Sequence, residues 1–164
     1  MRDMVPMTLD EAAAAPIRVG GRCRFEADPH AVFEELRDPS LWFPLMRRSV
    51  WHTGATSGVG AERLIDHPIL GRFRERMLVW DTGHRMTFTM LATNSPFVAR
   101  ALEDWQLYAE DGGTVAEWVV AGYPTRAGRL AAPALRASVR LLFAGAARRL
   151  GRRAAAYPRG KQAI

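Results

Sequence analysis

The sequence predicts an α+β fold in which an antiparallel sheet of six to seven strands curves around one long C-terminal helix. The first observation is a series of short segments, from Ile17 to Tyr123, in which apolar and polar residues alternate between turn residues. The second is a helical period that continues for roughly thirty residues after Pro124. Strands joined by short turns form an antiparallel meander with one buried face, and the amphipathic helix must pack on that face.

The N-terminal part of the chain divides at Pro16. In the extension before it, residues 1–16, Thr8 and Glu11 have the spacing of a capping box, so TLDEAAAA is interpreted either as about two turns of helix or as a frayed tail. Strand alternation starts only after Pro16. We therefore expect a domain over residues 17–158 that folds without the extension, and a C-terminal tail over residues 159–164.

Two short helices are predicted after the first strand, IRVGGRCRFEA. Asp28 and Pro29 are start signals for the first helix, and Asp38-Pro39 ends it. The second covers Pro39 to Met46, where two prolines prevent both a long helix and a central strand.

Six further strands follow, and their alternation predicts which side chains point inward. The segments are RRSVWHTGAT, GVGAERLID, GRFRERMLVWDTG, HRMTFTMLAT, ALEDWQLYAE and TVAEWVVAGY. By phase, Glu75 shares a face with Met77, whereas Trp80 lies opposite, and Asp104 and Glu117 face solvent. The inward set, completed by the apolar stripe of the final helix, is Met77, Met86, Phe88, Met90, Trp105, Leu107, Trp118, Leu135, Val139, Leu142 and Phe143.

Composition excludes several classes of protein. Cys23 is the only cysteine, so an internal disulfide and a four-cysteine zinc site are excluded, and the histidines lack metal-ligand spacing. No GxSxG, GxGxxG or Walker motif occurs. No apolar run reaches the roughly 18–20 residues that span a bilayer, and the N-terminus lacks a signal-peptide pattern. We expect no cofactor, no metal and a cytoplasmic location.

The net charge of +6 accompanies an arginine-rich face on the final helix. Three explanations stay open: a solvated outer face, an anionic membrane surface and nucleic acid. We favour them in that order and expect no nucleic-acid partner, because the basic residues lack interleaved aromatics. The arginines are Arg129, Arg136, Arg140, Arg148 and Arg152.

Four segments of the chain resemble the START, polyketide-cyclase and birch-pollen-allergen superfamily. They are, in order, ADPHAVFEELRDPSLWFP, GVGAERL, VWDTGHRMTFT and GGTVAEW. The resemblance implies the helix-grip fold, in which sheet and long helix enclose a cavity for hydrophobic molecules such as lipids, sterols and polyketides. It also implies that Trp42 and Phe43 close one end of that cavity. Two departures are Phe33, where the superfamily often has tryptophan, and the N-terminal extension.

We interpret the inward set, with Trp42 and Phe43, as the lining of a ligand cavity rather than a solid core. Methionines suit an adaptable apolar pocket. The expected function is binding of a small hydrophobic molecule, lipid-like or polyketide-like, without catalysis. The alternatives are a module that docks a partner through the basic helix, and a polyketide aromatase/cyclase with His52 and Glu75 as candidate catalytic residues. An inward polar pair on neighbouring strands would favour the cyclase, and the alternation predicts none.

Overall fold

A computed structural model of the protein describes residues 1–52, 54 and 56–157. Within these residues the strands are β1 (Arg2–Asp3), β2 (Ile17–Phe25), β3 (Arg48–Trp51), β4 (Glu62–His67), β5 (Gly71–Asp81), β6 (Arg85–Thr93), β7 (Val98–Glu110) and β8 (Gly113–Pro124). The helices are α1 (Leu9–Ala13), α2 (Pro29–Leu36) and α3 (Arg126–Ala155). The predicted tail, residues 159–164, lies outside the described residues.

The predicted fold class is confirmed. Strands β2 to β8 form one antiparallel sheet in the order β2-β8-β7-β6-β5-β4-β3, and α3 packs against its concave face. The turn between β7 and β8 has positive φ at Asp111 and Gly112, as the Asp-Gly pair predicts. Asp28 caps α2 by accepting a hydrogen bond from the Ala31 N–H.

The segment from Pro39 to Met46 forms hydrogen-bonded turns, not the predicted second helix. The Phe43 N–H donates to the Pro39 carbonyl at 2.8 Å, which closes one turn. Helix cannot continue, because Pro44 has no N–H and Leu45 has a φ of 62°. We call this segment, residues 39–46, the proline loop.

The N-terminal extension packs on the convex face of the sheet. Strand β1 pairs with β6, which adds an eighth strand that the sequence analysis did not predict. The predicted capping box is present, since the Thr8 side chain accepts from the Glu11 N–H and Glu11 accepts from the Thr8 N–H. Met7 is 1% exposed and forms a second apolar cluster with Leu102 and Ala121. The extension therefore covers a face of the sheet that alternation assigns to solvent.

A β-bulge in β5 places one tryptophan, Trp80, on the opposite face of the sheet from the one predicted. The register with β6 shifts between Met77 and Val79. Beyond this shift Trp80 turns toward the core, where its ring meets the ring of Phe33 at 5.3 Å. Strict alternation places Trp80 on the opposite face, because the sequence carries no mark of the extra residue.

Asp104 lies on the convex face, as its phase predicts, but it is buried rather than solvated. Arg85 donates to both of its carboxylate oxygens, at 2.9 and 3.0 Å, and the Thr87 hydroxyl also donates to it. Asp104 is 6% exposed. Glu117 is exposed, as predicted.

Helix α3 is buried unevenly along its length. Apart from Gly128, its buried residues lie in the second half, from Phe143 to Ala154. The helix contains an 18-residue stretch with a mean hydropathy of 1.3, of which 11% is buried. By length and composition alone it could cross a membrane, which corrects the expectation of no such run. The same criteria fit a helix of a folded domain, and α3 is packed on the sheet.

Candidate ligand-binding cavity

An apolar cavity of about 170 Å³ lies between the sheet, the proline loop and the first half of α3. An engineered apolar protein cavity of about 150 Å³ binds benzene, so this cavity matches a molecule with a single ring. The charged side chains among its lining residues are Arg63, Glu75, Glu103 and Arg136.

The structure brings most of the predicted lining residues together around this cavity. Met77 and Leu107 instead pack in the core, Trp118 stacks on Phe143 with ring centroids 4.0 Å apart, and Leu142 packs against the core without lining the cavity. The predicted residues that do line it are Trp42, Phe43, Met86, Phe88, Met90, Trp105, Leu135, Val139 and Phe143.

The proline loop places Trp42 and Phe43 in the cavity wall. The Trp42 indole N–H donates to the Glu35 carbonyl at 2.7 Å, and its ring meets Trp105 edge to face. Phe43 contacts Phe143 of α3 in the same way, with centroids 5.1 Å apart. Trp42 is 3% exposed, so it is a buried part of the cavity wall.

His67 anchors the proline loop to the sheet. Its Nε2 lies 2.9 Å from the Pro44 carbonyl, and its Nδ1 accepts from the N–H groups of Ile69 and Leu70. A ring that accepts at Nδ1 and donates at Nε2 is neutral, and burial lowers the pKa of His67 accordingly. His52, one of the two candidate catalytic residues, is exposed and does not line the cavity.

Glu75, the other candidate, forms a buried ion pair with Arg63 on the neighbouring strand β4. Arg63 donates to Glu75 Oε2 from Nε at 3.0 Å and from Nη2 at 2.8 Å. Burial raises the pKa of Glu75, and the charge and hydrogen bonds of Arg63 oppose that rise. Arg63 Nη1 also donates to the carbonyl of Arg37 at 3.0 Å, just past the end of α2. The ion pair therefore joins three elements.

Glu103 on β7 is enclosed by protein, and its remaining accessible surface faces the cavity. Its Oε1 accepts a hydrogen bond from the Trp105 indole N–H at 2.7 Å. Burial is the main cause that raises the pKa of Glu103 to about 8, and the negative charge of Glu75 raises this pKa further. The Trp105 hydrogen bond and the positive charge of Arg63 lower it in part. The carboxyl group is therefore protonated at neutral pH.

Neither Arg63 nor Glu103 is among the site residues predicted from the sequence. Glu103 shares the phase of Trp105, so the alternation that selected Trp105 also places it inward. Arg63 shares the phase of Ile65 and pairs in register with Glu75. Arg63 and Glu75 thus form an inward polar pair on neighbouring strands, which corrects the expectation from alternation that no such pair exists. Among the described residues, no three His, Cys, Asp or Glu side chains form a metal site.

Sequence comparison identifies a family for most of this domain. A family model described as "Polyketide cyclase / dehydrase and lipid transport" matches residues 16–155. A comparison with curated proteins finds no significant match.

Solved structures share the fold at low sequence identity. The Zhui aromatase/cyclase from Streptomyces sp. R1128 is 15% identical, with a TM-score of 0.74 over 90% of this chain and 99% of that one. The protein TTHA0849 from Thermus thermophilus is 17% identical, with a TM-score of 0.71 over 85% and 98%. Ara h 8.0201 is 11% identical, with a TM-score of 0.64 over 85% and 98%. At such identities the likeness is one of fold.

Proposed function

Because the chain belongs to the polyketide cyclase / dehydrase and lipid transport family, we propose that it binds a small hydrophobic molecule, lipid-like or polyketide-like, between the sheet and α3. The observation that carries this proposal is the apolar cavity of about 170 Å³. A solid core would leave no such space, because protein interiors are close-packed. Trp42, Phe43 and Phe143 contribute aromatic surface, which dominates the burial energy of apolar ligands.

The cavity volume limits what binds without a structural change. Drug-sized ligands occupy pockets of about 300–1,000 Å³, larger than this cavity. A longer chain would have to displace part of the wall. The first half of α3 is only partly buried, since Leu130 on its outer face is 89% exposed and Val139 in the cavity wall is partly buried. Larger ligands would therefore enter by moving this half of the helix away from the sheet.

Calorimetric titration with α-methylstyrene, a neutral single-ring hydrocarbon, tests the proposal. The wild-type protein should bind it, and Val139→Trp, which fills the cavity from α3, should abolish binding. Leu130→Trp is the matched control, because it puts the same side chain on the exposed face of the same helix. Binding that is absent in the wild type, or equal in both variants, would refute the cavity as the binding site.

A polyketide aromatase/cyclase is the second candidate. The buried polar groups Arg63, Glu75 and Glu103 support it, since a positioned carboxyl group can act as general acid or base in enolate chemistry. The cavity of about 170 Å³ is small for a polyketide chain, which is why we place binding of a smaller molecule ahead of catalysis. When the protein is incubated with a linear poly-β-ketone, the ketone should cyclise no faster than it does without the protein. A cyclised product that Glu103→Gln no longer forms would reverse this preference.

We also propose a reducing cytoplasm as the location and no nucleic-acid partner. Cys23 as the only cysteine supports the location. The exposed, arginine-rich face of α3 supports the second proposal, because it carries no aromatic residue: Phe143, the aromatic residue of this helix, is buried in the core.

A further inference from the structure

We propose that Glu103 is the polar anchor of the cavity and that it selects apolar molecules carrying an uncharged oxygen acceptor, such as a ketone or aldehyde carbonyl. This inference rests on the proposed binding function and specifies its ligand class. Three features of the structure carry it: the surroundings of the carboxyl group, its incomplete hydrogen bonding, and the full engagement of the nearby arginine.

The carboxyl group projects from the middle of an apolar wall. In register, Glu103 lies between Phe88 of β6 and Val120 of β8, and both neighbours line the cavity. Two residues along β7, the Trp105 indole supplies the only hydrogen bond that Glu103 receives from the described residues. That bond uses Oε1. Oε2 has no hydrogen-bond partner among the described residues. It is not one of the fully buried side-chain atoms that lack a partner, so it keeps accessible surface in the cavity.

The nearest cation is not available to Glu103 or to a bound anion. The Nε and Nη2 of Arg63 both donate to Glu75, and its Nη1 donates to the Arg37 carbonyl and lies 3.5 Å from that of Leu36. The ion pair is thus neutral as a unit and holds the end of α2. Arg136 lines the cavity from α3, but its Nη2 lies 3.5 Å from the Pro16 carbonyl at the exposed edge.

These features determine which ligand atom completes the site. With its raised pKa, Glu103 is a neutral acid whose Oε2–H is a hydrogen-bond donor inside the cavity. A carbonyl oxygen satisfies this donor, whereas a hydrocarbon leaves it unpaired after its water is displaced. A carboxylate ligand beside Glu103 would lose its water where Arg63 is held by Glu75 and Arg136 lies at the exposed edge, so a carboxylate is disfavoured at this position. An amine would instead take the proton and form an ion pair with Glu103.

Four single-ring probes of similar size separate these cases in calorimetric titrations at pH 6.5. They are acetophenone, α-methylstyrene, benzoate and 1-phenylethylamine, in which a carbonyl oxygen, a methylene group, an anion and a cation take the polar position. We expect acetophenone to bind at least about tenfold more tightly than α-methylstyrene, because leaving a buried hydrogen-bond donor unpaired weakens binding by about that factor. Benzoate should not bind measurably.

Two substitutions assign this preference to Glu103. Glu103→Leu should bind both neutral probes equally, since it removes the donor and keeps the apolar wall. Glu103→Gln keeps an amide donor and should retain the preference for acetophenone. Only the wild type should lose the preference as pH rises from 7 to 9, because the glutamine side chain does not titrate. Should Glu103→Leu fail to fold, the pH comparison with Glu103→Gln tests the proposal by itself.

Several outcomes overturn the inference. Equal affinity of the wild type for acetophenone and α-methylstyrene would remove the role of the carboxyl group as a donor. Tightest binding of 1-phenylethylamine would make Glu103 a site for cations, and binding of benzoate would require a free positive charge. If α-methylstyrene itself does not bind, the proposed function fails first, and the inference fails with it.

Discussion

Replacing Met7 by alanine should destabilise the protein and leave its cavity intact. Met7 is 1% exposed and packs with Leu102 and Ala121 on the convex face of the sheet. Its backbone N–H donates to Thr89 Oγ1 at 2.7 Å, and this bond survives the substitution. The loss is therefore that of the side chain, and buried Met→Ala substitutions cost about 2–5 kcal/mol.

Urea denaturation followed by tryptophan fluorescence measures this cost. Val5→Ala, two residues away in the same extension, is the matched control, because Val5 is 66% exposed. It should stay within about 0.5 kcal/mol of the wild type. Both variants should keep the m-value, which would show that unfolding still exposes a similar surface. Affinity for α-methylstyrene should be unchanged in both, because Met7 does not line the cavity.

An equal and small effect of both substitutions would refute this reasoning. The extension would then be detached in solution, as the sequence analysis expects from the composition break at Pro16. A loss of about 2 kcal/mol or more confined to Met7→Ala would show that the extension is part of the folded unit.

Two further predictions concern titratable groups. Glu103 has a pKa of about 8 when folded and an ordinary value of 4.5, so the folded chain holds a proton that the unfolded chain has released, and stability falls as pH rises between these values. The lowered pKa of His67 makes stability rise with pH, but only below the ordinary histidine pKa of 6.5. Between pH 6.5 and 8 the free energy of unfolding should therefore fall more steeply in the wild type than in Glu103→Gln, by up to about 1.4 kcal/mol per pH unit. Parallel slopes would contradict the raised pKa of Glu103. Burial raises the pKa of the Cys23 thiol to about 11 from 9.0. Iodoacetamide at pH 8 should therefore label Cys23 roughly a hundredfold more slowly in the native protein than in the urea-unfolded chain. Equal labelling rates would show that the thiol is accessible to solvent and contradict the raised pKa.

The order of the elements could be predicted from the sequence because each strand after residue 17 carries its own alternation and its own turn. Asp111-Gly112 is an example, since the left-handed backbone of that turn is accessible to this pair. Such signals are local and remain visible without tertiary contacts. The overall architecture follows from them, because a one-sided sheet and an amphipathic helix must share their apolar faces.

The features that the sequence did not reveal depend on contacts between distant residues. The bulge that turns Trp80 inward is a property of the pairing between β5 and β6. The extension folds back over β6 because Arg100 of β7 donates to the carbonyl of Pro6 and to Glu11, 94 and 89 residues away. No local pattern before Pro16 records that contact, so composition alone favours a detached tail.

Glu103 is a different case, because the alternation already placed it inward. The sequence alone does not single it out as a site residue, because a carboxyl group on a core face contradicts the expectation that such positions are apolar. The side chains of Glu103 and its neighbour Asp104 have opposite surroundings in the structure. Asp104 meets the Arg85 guanidinium and the Thr87 hydroxyl, whereas Glu103 meets one indole N–H.

The contrast between the two inward carboxyl groups, Glu75 and Glu103, is why we propose binding ahead of catalysis for this cavity. An inward polar pair on neighbouring strands would favour catalysis, and Arg63 with Glu75 forms such a pair. The two charges of this pair balance each other, and all three guanidinium nitrogens of Arg63 donate hydrogen bonds to Glu75 or to the end of α2. The pair therefore stabilises the fold. Glu103 remains, with one oxygen open to the cavity and, among the described residues, the Trp105 indole N–H as its hydrogen-bond partner rather than a base. A lone neutral acid in an apolar cavity orients a carbonyl group, which is recognition; to turn over a substrate it would need a second group to take the proton back.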